Sequence, residues 1–397
     1  METYIVDWLN MLARWLHFVA GVAWIGASFY FVMLDNSLKP PKKSDEAKRG
    51  VFGELWAVHG GGFYCSQKFL TGPKGEPLSE DLHWSKWEAY TTWLSGIALL
   101  AIIYWFGANA YLIDTSVMPL TPAAAVGISI ATLVFGWLIY DGLCRLLGDK
   151  PVLLGALVYA FIVLVAWGLF HVFGARAAYV HVGAMVGTMM VANVFFVIIP
   201  GQRKMVDAIR AGQAPDPLPG LRGKIRSVHN TYFTLPVLFI MISNHYPMTY
   251  GSKYGWLVLA LIGAAGVLIR QFFVQRHTGE ANYALPAAAV ALLAGVAVAI
   301  APSTANPKAE TVTFAKVQPI FAERCAGCHA EKPTQPGFAA APLGVMLDTP
   351  ERIKAAAPRI YQQVIATQAM PIGNLTQMTA DERAAVGTWL ADGAKLN

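Results

Sequence analysis

The chain has 397 residues, 55% of them hydrophobic and only 14% charged, where soluble domains carry about 25% charge; composition speaks against a soluble globular fold and excludes disordered, collagen-like and disulfide-scaffold classes. The net charge is +6, yet residues 309–397 hold eight Lys/Arg and eight Asp/Glu, so the whole excess belongs to residues 1–308. With a mean hydropathy of +0.45 and 12 Trp, that basicity points to membrane loops rather than to nucleic acid.

From the N-terminus onward, apolar runs near twenty residues fall at about 8–34, 88–113, 123–146, 151–173, 176–200, 229–248, 254–274 and 283–300. They predict an all-α, polytopic bundle of eight transmembrane helices over residues 1–300. The sixth run is the least regular, holding Pro236 and ending in SNHYP at 243–247. The loops at 35–87, 141–150, 201–227 and 270–282 hold eighteen Lys/Arg, and those at 113–122, 174–177 and 249–253 hold two. Basic loops stay cytoplasmic, so both termini are expected outside. The opening METYIVDWLN carries Glu2 and Asp7 and lacks the basic start of a cleavable signal. Setting His17 on His181 aligns residues 14–34 with 178–198 four spans later, the pattern of a parallel 4+4 repeat; the general abundance of aromatic and small residues in spans gives the same pattern without duplication.

Ionisable groups inside spans are costly and face the bundle interior or water. Here they form two layers. Glu88, Asp141, Arg145, Asn193, His229, Asn230, Arg270 and Gln271 lie toward the cytoplasmic side, and His17, His171, His181 and His245 toward the outer side. The cytoplasmic layer suits a polar ligand, since Arg, Asn and Gln supply fixed donors and His or Glu can move a proton. Asp141 and Arg145, four residues apart, fit a plain helix ion pair equally well. Three glycines after His59 allow a close backbone approach or a sharp re-entrant turn. In the outer layer, His17 and His181 at equal depth would suit a haem b, against the plainer reading of interfacial histidines. LHFVAGVAWIG at 16–26 resembles the first span of the membrane histidine-type protoporphyrinogen oxidases, which hold haem b. Cys65 and Cys144 have no partner at useful spacing and read as ordinary apolar cysteines.

Residues 301–311, APSTANPKAET, read as a linker, and a small soluble domain follows at 312–397. Its ERCAGCHA at 323–330 is Cys-x-x-Cys-His, the attachment site of a c-type haem: Cys325 and Cys328 bond the vinyl groups and His329 reaches the iron. Zinc would need two further ligands, and a thioredoxin-like pair would need a βαβ pattern. Of the later methionines, Met370 in TQAMPIGN at 367–374 is the expected second axial ligand, because Pro371 and Gly373 force an extended loop, while Met346 and Met378 read as packing. TADERAAVGTWLADG at 379–393 reads as a last helix capped by Thr379. The tail resembles class I cytochromes c.

HGGGFY at 59–64, HWSKWEAYTTWLSG at 83–96, HNTYFTLPVLFIMISNHYP at 229–247 and the haem tail together resemble the integral-membrane, cytochrome c-fused urate oxidases of bacteria. The resemblance implies oxidation of urate to 5-hydroxyisourate, without peroxide, in the bacterial inner membrane. Electrons would pass to the haem and on to a soluble cytochrome or terminal oxidase. On that reading Arg145 and Arg270 supply charge, Asn193, Asn230, Gln271 and Glu88 bind substrate, and His229, ahead of His59, is the general base. The competing readings are a membrane anchor and electron relay for a separate dehydrogenase, and a quinol or porphyrin oxidase.

Overall fold

A computed structural model describes residues 2–301 and 312–396, so the expected linker lies, but for Ala301, outside the described residues. The chain opens with α1 (Glu2–Ser37) and the short α2 (Ser44–Lys48), then forms a hairpin of β1 (Val51–His59) and β2 (Gly62–Phe69). Helices follow as α3 (Trp87–Leu100), α4 (Ala108–Tyr111), α5 (Pro122–Leu147), α6 (Pro151–Leu169), α7 (Ala175–Ala192) and α8 (Ile199–Arg210). The body closes with α9 (Leu218–Ser243), α10 (Pro247–Tyr250), α11 (Gly255–Thr278) and α12 (Ala284–Ala299). π-helical stretches at Ala101–Trp105 and Asn193–Ile198 prolong α3 and join α7 to α8.

Among the described residues, five helical stretches are long and apolar enough to cross a membrane: Trp8–Ser37, Pro122–Leu147, Pro151–Leu169, Ala175–Arg210 and Gly255–Thr278. The other three expected positions also carry helices of different character. α3 has 14 residues before its π-helical extension, α12 has 16, and α9 holds Arg222, Lys224 and Arg226 in its first half. The boundaries follow local chemistry. Thr121 caps α5 by accepting from the Ala124 N–H, with Pro122 at the first helical position, and α11 stops at Gly279, whose φ of 98° suits only glycine. α9 begins eleven residues before the apolar run at 229, because LPGLRGKIRSV already forms helix behind Pro219.

The expectation of an all-α chain is corrected by the hairpin. Val58 pairs with Phe63 and His59 with Gly62, which leaves Gly60 and Gly61 at the tip with φ of 60° and 80°. Two consecutive positive φ angles are what a tight two-residue hairpin turn demands, so the three glycines serve the turn rather than a re-entrant segment.

α5, α6, α7 and α9 enclose one apolar core in which Leu112, Tyr140, Leu154, Tyr179 and Met185 are fully buried. Gly183 lets α9 approach, since a Cβ there would fall 2.5 Å from Ile240 Cγ2. Outward, Trp15, Phe18, Phe135, Val152, Leu164 and Val298 are exposed, an apolar surface larger than water tolerates and compatible with a membrane.

The tail consists of α13 (Phe314–Arg324), α14 (Pro350–Ala355), α15 (Ala357–Ile360) and α16 (Ala380–Ala391). It has its own core, where Trp389 packs on Phe314 and Phe321 beside Val317, Met378 and Val386. Truncating such a Trp costs about 3–5 kcal/mol. Thr379 and Glu382 complete a reciprocal cap on α16, and Arg324 forks onto Glu382 to tie it to α13. The tail seats on the body through its 367–373 loop. Ala369 packs against the body core, and Gly373 sits so close to α4 that a Cβ would lie 2.7 Å from the Ile113 carbonyl oxygen.

Candidate functional site

At the end of the body away from the tail, α5, α7 and α9 bring a chain of polar side chains into the core. Arg226 is 5% exposed and donates from Nη2 to Asp141 Oδ1 at 2.5 Å and from Nη1 to Asn193 Oδ1 at 3.2 Å. Asn193, fully buried, donates from Nδ2 to Asn230 Oδ1 and to the Tyr140 hydroxyl, both at 2.9 Å. Tyr140 Oη lies 2.9 Å from His229 Nδ1, and Asn230 Nδ2 donates to the Met190 carbonyl at 3.0 Å. The Arg226 guanidinium also lies over the Tyr140 ring, 5.1 Å from its centroid. Arg226, His229 and Asn230 share one face of α9 at i, i+3 and i+4.

On α11, which packs on α9, lies a cation without a counter-charge among the described residues. Arg270 on α11 is 4% exposed, its guanidinium carbon is 4.1 Å from the Phe29 ring centroid, and its Nε and Nη2 have no hydrogen-bond partner. Beside it the Tyr232 hydroxyl donates to Gln271 Oε1, and Gln275 Oε1 is buried without a partner. Tyr232 follows His229 by three residues, so α9 carries the histidine and the phenol as neighbours. An unpaired buried guanidinium costs several kcal/mol, roughly, even after relaxation, and calls for an anion.

Of the residues singled out in the sequence, His229, Asn193 and Asn230 join the hydrogen-bonded chain, while Arg270 and Gln271 lie on α11, tied to α9 through Tyr232. Others do not join them. Arg145 is 78% exposed in its side chain and only clasps Asp141 Oδ2 at 2.7 Å, so the ion-pair reading holds and the inward charge on Asp141 is met by Arg226 instead. Glu88 is half-buried at the start of α3 and makes no side-chain bond to the cluster, and His59 is exposed at the hairpin tip. Tyr140 and Arg226 escaped the sequence reading. Arg226 had been counted as a loop charge, and its i+4 spacing to Asn230 was the available signal.

Nearer the tail, His181 is fully buried with both ring nitrogens engaged: Nδ1 donates to the Ala177 carbonyl at 2.8 Å, and Nε2 lies 2.7 Å from Ser129 Oγ, which accepts from Trp105 Nε1. His17 Nδ1 donates to the Thr92 carbonyl at 2.9 Å. Iron on His181 Nε2 would have to displace the Ser129 bond.

In the tail, one turn after α13 gathers Cys325, Cys328 and His329, with the His329 N–H bonded to the Cys325 carbonyl at 2.9 Å. They line a cleft of about 2530 Å³ together with Leu347, Ile360 and Met370, and on the body side it reaches Tyr111, Arg176 and Tyr250. His329 Nδ1 donates to the Val345 carbonyl at 2.8 Å, leaving the Nε2 lone pair free, the arrangement that orients a metal-binding imidazole. The two thiols are free, and burial with Cys328 alongside pushes the Cys325 thiol up to about 12, unlike a redox thiolate. Among the described residues no three His, Cys, Asp or Glu gather as a metal cluster, so zinc finds no further ligands. Arg383 donates to the Val364 and Met370 carbonyls and pins the methionine loop. The donor set fits a covalently held haem.

Residues 3–301 match the family described as Urate oxidase N-terminal. The chain belongs to that family. The matched stretch is the helical body and stops where the body stops, so the urate oxidase N-terminal region contains both the Arg226 chain and Arg270, while the tail lies beyond it. Neither the curated proteins nor the solved structures include a match to this chain.

Proposed function

We propose that the protein is a membrane urate dehydrogenase of the bacterial inner membrane, with the tail in the periplasm and the Arg226 chain and Arg270 in the cytoplasmic half of the body. Urate and water give 5-hydroxyisourate, two electrons and two protons. Electrons leave through the tail to a soluble cytochrome or terminal oxidase, so oxygen is not reduced to peroxide. The observation that carries this reading is the unpaired Arg270 in a family built around urate. Urate is a planar monoanion at neutral pH, and a guanidinium stacked on Phe29 with two open N–H groups offers it charge and directional donors together. Gln271 and the Tyr232 hydroxyl flank that position, and His229 stands one turn before Tyr232 on α9.

Cys325, Cys328, His329 and Met370 would hold a haem c, which supplies a one-electron carrier beside the body. The chain's own part is to keep the two ends apart yet joined. From Arg176 on the tail-facing rim to Asn193 is 17 residues of helix, roughly 25 Å at 1.5 Å per residue. The docked 367–373 loop closes the remaining gap at Ile113 and Gly251.

Purified full-length protein given urate, air and oxidised soluble cytochrome c tests the proposal. Loss of urate absorbance matched by two cytochromes reduced per urate, without hydrogen peroxide, is expected. Stoichiometric peroxide, or no loss of urate, overturns it.

A further inference from the structure

We infer that Asp141, Arg226, Asn193 and Tyr140 form a positioning chain that fixes the proton of His229 on Nε2, so that the imidazole meets its ligand as an N–H donor and not as the base expected from the sequence. The tautomer stands on the hydrogen bonds alone; its role toward substrate rests on the urate reading above.

The direction of each bond from Asp141 as far as the Tyr140 oxygen is set by groups that cannot reverse. Arg226 can only donate, to Asp141 Oδ1 on one side and to Asn193 on the other, so the Asn193 oxygen must face Arg226. That leaves the two Asn193 Nδ2 hydrogens for Asn230 and Tyr140. The far end agrees independently. The Met190 carbonyl can only accept, so Asn230 turns its nitrogen to Met190 and its oxygen to Asn193. Asn193 is thus oriented from both sides, and it donates to the Tyr140 oxygen.

Tyr140 has one hydrogen, and its partner beyond Asn193 is His229 Nδ1 at 2.9 Å. Cys144 Sγ lies 3.8 Å from the same nitrogen, but a thiol sulfur is a far weaker acceptor than imidazole and its own hydrogen is a donor. Two donors therefore face Nδ1. The nitrogen accepts, the ring proton sits on Nε2, and Nε2 makes no hydrogen bond to the described residues. A urate oxygen placed there receives an N–H from His229, and this donor is strongest when negative charge builds on that oxygen.

Asn193→Asp reverses the chain at one atom. A carboxylate still accepts from Arg226 but cannot donate to Tyr140, whose hydrogen then turns to Asp, and His229 must donate from Nδ1 and present a bare Nε2. The test is nitrogen-15 NMR of histidine-labelled full-length protein in lipid vesicles, with the His229 signals assigned by difference from His229→Gln; it needs no urate. The wild type is expected as the Nε2–H tautomer, Asn193→Asp as the Nδ1–H tautomer, and Tyr140→Phe, which keeps the ring and carries the test should the aspartate not fold, as a mixture. Either an Nδ1–H wild type or an unchanged Nε2–H form in the variants overturns the inference. In turnover, Asn193→Asp is expected to lower kcat/KM for urate by about 10²- to 10³-fold with the tail spectrum unchanged, the scale of a lost donor to developing charge. If the tautomers behave as stated while the wild type does not oxidise urate, the urate reading fails and the positioning chain stands.

Discussion

In the tail, Cys325, Cys328 and His329 come from five consecutive residues and a single turn of chain; in the body, Tyr140, Asn193, Arg226, His229 and Arg270 come from four helical segments spread over 131 positions. The tail site is local, so its chemistry is written in its spacing. The body site is an assembly, and its partners depend on how α5, α7, α9 and α11 face each other. The two also differ in electrostatic completeness. Arg226 meets the Asp141 carboxylate with one nitrogen and the Asn193 oxygen with another, whereas Arg270 has no such partners among the described residues. A closed pair orients its neighbours, and an open one attracts a ligand.

The contrast can be broken from either side. Changing Cys325 and Cys328 to Ala has the largest expected effect: haem staining on a denaturing gel disappears entirely while urate still binds the body, and persistent staining refutes the attachment site. Arg270→Gln keeps the shape but removes the open charge. It is expected to lower kcat/KM for urate by about 10- to 100-fold, the 1.5–3 kcal/mol scale of charge-assisted hydrogen bonds, without moving the tail spectrum; unchanged kinetics would place the anion elsewhere.

Met370→Ala is a milder cut. Attachment depends on the thiols and survives, while a redox titration should show a lower potential as the thioether is lost. Met378→Ala, by contrast, acts on stability, because Met378 is buried in the tail core with Trp389. Arg145→Ala has the smallest effect. Its exposed i,i+4 pair with Asp141 contributes about 0.3–0.5 kcal/mol, so turnover within about twofold of wild type is expected, and a large loss would return Arg145 to the site.

Much of this was legible before the structure. The apolar runs gave the helix positions, and the tail motif, the Thr379 cap and the inward-facing His229, Asn230 and Arg270 followed from spacing and from the cost of buried polar groups. What stayed hidden was relational. Arg226 lies in a stretch polar enough to pass as a loop, and only the packing of α9 on α5 shows that it answers Asp141. The turn at Gly60–Gly61 was visible as glycine, but pairing of Val51–His59 with Gly62–Phe69 needed register, which a short exposed hairpin does not announce through burial. That His181 meets Ser129 and the Ala177 carbonyl with its two ring nitrogens is likewise a matter of packing that spacing does not announce.

The central claim is that substrate chemistry at one end of the body reaches the tail at the other within a single chain. Anaerobic addition of urate to purified, oxidised full-length protein with no other electron acceptor tests it most directly. The account predicts reduction of the tail haem in the wild type and slower reduction in Arg270→Gln. A wild-type spectrum unchanged by urate, in protein whose haem is reduced normally by dithionite, would contradict it.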